Sequence, residues 1–157
     1  RDLHYPLRRQ RQMCIRDRFI DRSPIPWLHI AEEVAKEAKR RGFRRLGILG
    51  TRYLMESQVY PARLEPLGID WIIPSEEERE KISEIIFNEL VYGRFLDESR
   101  RYLQAVIERL KAQQGCDAVV LGCTELPLII SDETSPLSTL DSTRILARAA
   151  LRKAIEE

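Results

Sequence analysis

The chain has 157 residues, a formal net charge of +1 and 43% apolar residues, enough for one ordinary hydrophobic core and a single domain. The charge is uneven: residues 1–22 carry seven Arg against three Asp and leave the remainder at about −3, which excludes the basic face that nucleic-acid binding requires. No apolar run reaches the length of a membrane span and the start lacks a signal-peptide core, while three cysteines without metal-ligand spacing, far from His4 and His29, point to reduced thiols in a cytoplasmic protein with no disulfide framework or zinc site.

Residues 1–22 read unlike the rest. They have no sustained apolar period, and the run from Arg9 to Arg18 resembles translated adapter sequence of the kind found at the broken ends of assembled genes. Foreign sequence, a solvated basic tail and a nucleic-acid arm are the readings, ranked in that order. Cys14 falls with this segment and is set aside from the chemistry. Residues 25–30 form a short apolar strand whose Pro24 and Pro26 suit an edge. An amphipathic helix follows over residues 31–41, with Ala31, Val34, Ala35 and Ala38 on one face, closed by Gly42.

The next strand covers residues 46–49 and ends in Gly50-Thr51-Arg52, a loop where a small residue lets backbone approach a ligand. A helix over about residues 53–67 contains Pro61, which implies a kink or a late start. Residues 69–73 are a third strand, stopped by Pro74. Ser75 with Glu78 makes a capping box, and Ile82, Ile85, Ile86 and Leu90 carry that helix to Gly93. A further helix opens at Asp97 and ends at Gly115.

Residues 118–121 are a fully apolar run with β-branched members, the pattern of a strand buried on both faces of a parallel sheet. Gly122 allows a tight turn, Cys123 stands where the strand gives out, and Thr124 to Pro127 read as the first turn of a helix. This puts a thiol at the carboxyl edge of a sheet, where open α/β proteins bind ligands, beside a helix N-terminus whose N–H groups stabilise a thiolate or a bound carboxylate. The plain alternative is a buried structural cysteine. A short apolar helix, a polar loop over residues 131–136, a last strand at residues 137–140 and a closing helix from Asp141 or Ser142 to about Glu156 complete the chain. Strands alternating with helices mean a doubly wound α/β fold with a mainly parallel sheet of four to five strands.

Gly122-Cys123-Thr124-Glu125 after an apolar strand resembles the second catalytic-cysteine motif of the aspartate/glutamate racemase family, the cofactor-independent amino-acid racemases. Residues 46–52 with Met55 are similar to that family's glycine-threonine strand end, and residues 25–30 to its domain-opening segment. The resemblance implies a pseudo-symmetric two-domain fold, with residues 23–140 as the second domain and residues 141–157 as a closing helix that packs toward the first. It implies two cysteines facing each other across a cleft, no cofactor, aspartate or glutamate as substrate, and a homodimer. Cys123 would be one of the two acid/base groups. Thr124 and Glu125 would bring backbone N–H groups to the substrate α-carboxylate, and Thr51 would hold the substrate from the neighbouring strand, unless it is only a helix cap.

The family's first cysteine lies in a Cys-Asn-Thr motif, which this sequence lacks. The expectation is therefore the carboxy-terminal portion of a racemase, unable to run a two-thiol reaction alone. Glu125 points to the aspartate/glutamate branch, since glutamate racemases tend to carry His there. Some relatives have a lysine shortly before the glycine matching Gly93, where this chain has Val91 and Tyr92. Arg52 and Arg94 are the substitutes for it, each otherwise a solvated arginine. His29 faces the cleft or packs at the domain edge, and Cys116, starting its strand, is structural. Two other readings stay open: an arylmalonate-decarboxylase-like enzyme in which the Cys123 position alone protonates a carbanion, and a non-catalytic α/β binding module.

Overall fold

The computed structural model describes residues 23, 24 and 27–155. The basic leader 1–22, Cys14 within it, Ile25 and Pro26 of the expected opening strand, and the last two glutamates lie outside the described residues. Four strands form one sheet: β1 (Arg45–Leu49), β2 (Asp70–Ile72), β3 (Ala118–Leu121) and β4 (Ser138–Asp141). Their order is β2-β1-β3-β4, and every neighbouring pair is parallel. The helices are α1 (Ile30–Arg40), α2 (Arg52–Met55), α3 (Pro61–Leu64), α4 (Glu76–Asn88), α5 (Asp97–Gln114) and α6 (Ser142–Ile155).

Strand alternation divides the core into two layers. Leu46, Ile48, Ala118, Val120 and Leu140 pack with the alanine stripe of α1 and with Tyr60 and Leu64. Leu49, Val119 and Leu121 pack on the other side against Ile82, Ile85 and Ile86 of α4 and Leu103, Val106, Ile107 and Leu110 of α5. With apolar layers on both faces, the strands read as continuous hydrophobic runs, as the sequence predicts. α6 lies against α1, where small side chains allow close approach. The outer edge of β4 is covered by side chains: Asp132 Oδ1 accepts from Thr139 N at 2.6 Å, and Arg41 Nη1 donates to Thr139 O at 3.2 Å.

Three elements differ from expectation. Residues 27–29 are not in the sheet, and Ile30 already belongs to α1. His29 occupies the N-cap position, where its carbonyl accepts the Glu33 N–H at 3.0 Å, so the segment leads into a helix instead of pairing. The single helix expected over residues 53–67 is α2, α3 and a 3-10 turn at Glu65–Leu67. Two prolines, Pro61 and Pro66, break the run of N–H donors that one helix needs. The helix expected to reach Gly93 stops at Asn88 and is followed by a 3-10 turn at Leu90–Tyr92. The capping box forms as read: Glu78 Oε2 accepts from Ser75 N at 2.8 Å, and Ser75 Oγ accepts from Glu78 N at 3.4 Å.

Candidate active site

Sheet topology fixes where a site can form before any side chain is considered. The chain leaves β1 for β2 on one side and β3 for β4 on the other, so the loops after β1 and β3 diverge and open a crevice between them. Leu49 and Leu121 are the last residues paired between these strands. Thr51 and Cys123 therefore each stand two residues beyond the same rung. The two strand ends are joined further by Gly122 N donating to Leu49 O at 2.8 Å.

The glycines here serve packing. Neither Gly50 nor Gly122 has a positive φ. A Cβ on Gly50 would lie 2.6 Å from Leu54 Cδ2, and one on Gly122 would lie 2.3 Å from the same atom and 2.9 Å from Leu49 O. One leucine side chain covers both strand ends, and at Gly122, where backbone also closes in, a side chain has no room.

Cys123 is half-buried against the α4/α5 core layer. Burial pushes its thiol up to about 11. The backbone N–H groups of Leu126 and Glu125, directed at the sulfur, pull it down, whereas the Glu125 carboxylate, by charge and by accepting from the S–H, pushes it up again. The expected helix after Cys123 is a single 3-10 turn at Leu126–Leu128. A short turn supplies little of the field that a long helix would, so desolvation wins and the resting group is a neutral thiol.

The remaining expected residues fall around this turn. Thr51 is the N-cap of α2, its Oγ1 accepting from Leu54 N at 3.4 Å. Thr124 is exposed and its Oγ1 donates to Glu125 Oε1 at 2.7 Å, folding the Glu125 side chain back onto the turn. Arg52 pairs with Glu56 at 3.0 Å and Glu80 at 2.9 Å across α2 and α4. Arg94 is exposed beyond the Leu90–Tyr92 turn. Cys116 is buried just before β3, at the opposite end of the strand from Cys123.

Sequence reasoning missed three residues here: Leu54, Tyr60 and Ser142. Tyr60 and Ser142 are each 1% exposed and lie beneath the Cys123 turn. Tyr60 precedes Pro61 at the start of α3 and Ser142 opens α6, so their places in the elements were legible, but nothing in the sequence brings them together. A cavity of about 350 Å³ lies beside the crevice toward α6, lined by Leu121, Pro127, Asp132, Arg41, Arg144 and Arg148 among others and not by Cys123 or Thr51. The thiol itself stands on an open edge. Among the described residues no cluster of three or more His, Cys, Asp or Glu is placed to hold a metal ion, and no helix is long and apolar enough to cross a membrane.

Residues 15–150 match the family model described as Asp/Glu/Hydantoin racemase. The fold is similar to that of a provisionally named Asp/Glu racemase from Yersinia pestis, with 37% identity, a TM-score of 0.82, and coverage of 88% of this chain and 60% of that one. An aspartate racemase homologue from Pyrococcus horikoshii is 32% identical with a TM-score of 0.82, over 89% of this chain and 62% of that one. The glutamate racemase of Thermus thermophilus is 28% identical over 131 residues, 82% of this chain and 46% of its own length. This chain thus spans roughly half to three-fifths of these three relatives, and 80% of an uncharacterized protein from Pectobacterium carotovorum that is 28% identical over 123 residues.

Proposed function

The chain belongs to the Asp/Glu/Hydantoin racemase family, and from that premise we propose that it serves the cofactor-independent racemisation of aspartate or glutamate, with Cys123 as one of two acid/base groups. Racemisation removes the α-proton on one face of the carbon and returns a proton on the other. A thiolate on one face takes the proton while a thiol on the opposite face gives one up, and the two groups exchange states with each turnover.

The observation that carries this reading is the place of Cys123, a half-buried thiol two residues beyond the last rung between β1 and β3, at the carboxyl edge of the parallel sheet. Held protonated, Cys123 is the proton donor of the resting pair. After donation, the Glu125 and Leu126 N–H groups stabilise the thiolate left behind. Cys116 cannot be the second group, because it sits at the other end of β3 within the core. The second acid/base therefore comes from a surface facing this edge, beyond the described residues, in keeping with the greater length of the relatives. Thr51 spends an oxygen lone pair on Leu54 N–H and keeps its hydroxyl hydrogen for a substrate carboxylate. The N–H group of Thr124 lies on the same turn and supplies a further anion contact, while that of Glu125 is committed to the sulfur.

Exchange of the α-proton of aspartate and glutamate in deuterated water, followed by NMR, tests the assignment. In a form of the protein that supplies both acid/base groups, Cys123→Ser is expected to lose about 10²–10⁴-fold of the exchange rate, and unchanged exchange overturns it. A single thiol at this edge among the described residues also supports a narrower reading, in which loss of carbon dioxide leaves a carbanion that Cys123 protonates on one face. Decarboxylation of an arylmalonate without exchange on aspartate would select that reading.

A further inference from the structure

Two buried polar side chains beneath the Cys123 turn have no part in proton transfer as described, yet both are tied to the strand end that carries it. Ser142 Oγ donates to Leu121 O at 2.8 Å. That carbonyl lies two residues before Cys123, and the intervening Gly122 N–H is held by Leu49 O. The turn is thus fixed from β1 on one side and from the first residue of α6 on the other. Tyr60 approaches from the connection between α2 and α3; its Cε2 would lie 3.6 Å from a Cβ on Gly122, and its hydroxyl lies beside Ser142.

A serine hydroxyl has one hydrogen, and that of Ser142 goes to Leu121 O, so the carbonyl before the turn is held from α6. Burial pushes the Tyr60 hydroxyl up to about 12, which leaves it neutral beneath the turn throughout the working range.

We propose that Tyr60 and Ser142 are positioning residues for Cys123, holding the β3 end at the depth that keeps the thiol half-buried over the crevice. The relevance of this to catalysis rests on the acid/base role given to Cys123 above, since proton transfer tolerates little misplacement; the geometry itself does not. The titratable groups facing Cys123 are Glu125 on its own turn and Tyr60 across from it.

The test uses the whole chain with Cys14→Ser and Cys116→Ser, leaving Cys123 as the one thiol, and follows alkylation by iodoacetamide against pH together with the thermal midpoint. Tyr60→Phe keeps the ring and removes the donor, and Ser142→Ala removes the link. Each is expected to loosen the turn, admit water and lower the Cys123 alkylation midpoint by about one pH unit. At pH 8 that gives about tenfold more thiolate, offset by its weaker nucleophilicity to about a threefold faster reaction. The double variant should shift little further than Ser142→Ala, because both changes act on the depth of the same strand end. Variants that lower the thermal midpoint but titrate Cys123 as the parent does overturn the proposal and leave Tyr60 and Ser142 as core hydrogen-bonders; if Ser142→Ala fails to fold, Tyr60→Phe decides alone. Intact α-proton exchange in Cys123→Ser would overturn the catalytic assignment and leave this measurement standing.

Discussion

Cys116 and Cys123 bracket the same strand, seven residues apart in sequence, and the sheet treats them in opposite ways. At the amino end, Cys116 is 4% exposed, packed into the α4/α5 core layer, with its thiol pushed up by burial. The polar groups around it are answered locally: Asp117 accepts from Arg44 N at 2.7 Å and Arg45 N at 3.2 Å, and Arg45 reaches Gln114 O at 3.0 Å and Asp70 at 3.0 Å. At the carboxyl end the strands part, N–H groups converge on a sulfur, and the edge is open. The same residue type at the two ends of one strand meets a closed core at one and, in the proposed reading, a substrate crevice at the other.

The largest expected effect tests that polarity directly. In a form of the protein that supplies both acid/base groups, Cys123→Ser should cost about 10²–10⁴-fold in α-proton exchange, while Cys116→Ser should leave exchange within about twofold and instead lower stability by about 1 kcal/mol for placing a hydroxyl in an apolar site. Comparable losses of exchange in both would show that the two ends are not chemically distinct.

Much of this asymmetry was legible in the residues. The apolar run Ala118–Leu121 gave β3 without ambiguity, and a strand that ends in Gly-Cys is enough to place the thiol at a sheet edge. The alternation of elements gave the parallel sheet, and the Ser75/Glu78 spacing gave the start of α4. What stayed hidden depends on tertiary contact. The clearance that Leu54 demands of Gly122 and the hydrogen bond from Ser142 to Leu121 O join segments far apart in sequence. The balance at Cys123 stayed hidden as well: the helix expected after it is a three-residue 3-10 turn, and sequence gives no measure of desolvation. The opening strand failed for a related reason: residues 27–29 are apolar enough for a strand but lead directly into α1, and pairing cannot be read from one segment alone.

Two glycines sharpen the comparison at the level of packing. Gly122→Ala at the carboxyl end meets Leu49 O as well as Leu54, and a carbonyl in a strand cannot swing aside, so a loss of about 2–3 kcal/mol is expected. Gly47→Ala, within β1 on the side of Cys116, meets Leu110 Cδ1 at 2.9 Å, the far end of a flexible side chain, and should cost about 1 kcal/mol. Urea unfolding of the two variants measures the difference; equal losses would mean that the carboxyl turn relaxes as readily as a side chain.

Alkaline stability gives a smaller signal. The folded Cys123 thiol lies near 11, above its ordinary value of 9.0, so its contribution is fully present below about pH 9 and fades as pH rises through 11. Between about pH 8 and pH 10.5 the chain should lose about 1–2 kcal/mol on this account, on top of the share from Cys116, which burial shifts in the same direction. Urea midpoints at the two pH values should fall closer together in Cys123→Ser than in the parent.

The smallest expected effect comes from the amino end and asks whether the two ends communicate. Asp117 is exposed, so when Asp117→Ala removes its carboxylate, water replaces most of what the Arg44 and Arg45 N–H groups lose. A cost of about 1 kcal/mol in urea unfolding is expected. The Cys123 alkylation midpoint should not move, because the rungs between Leu46 and Ala118 and between Leu49 and Leu121 stand between the two sites and both core layers clamp the strand. If the midpoint does move, β3 slides as a unit and the depth of the thiol is set from its far end, not by the contacts of the carboxyl turn.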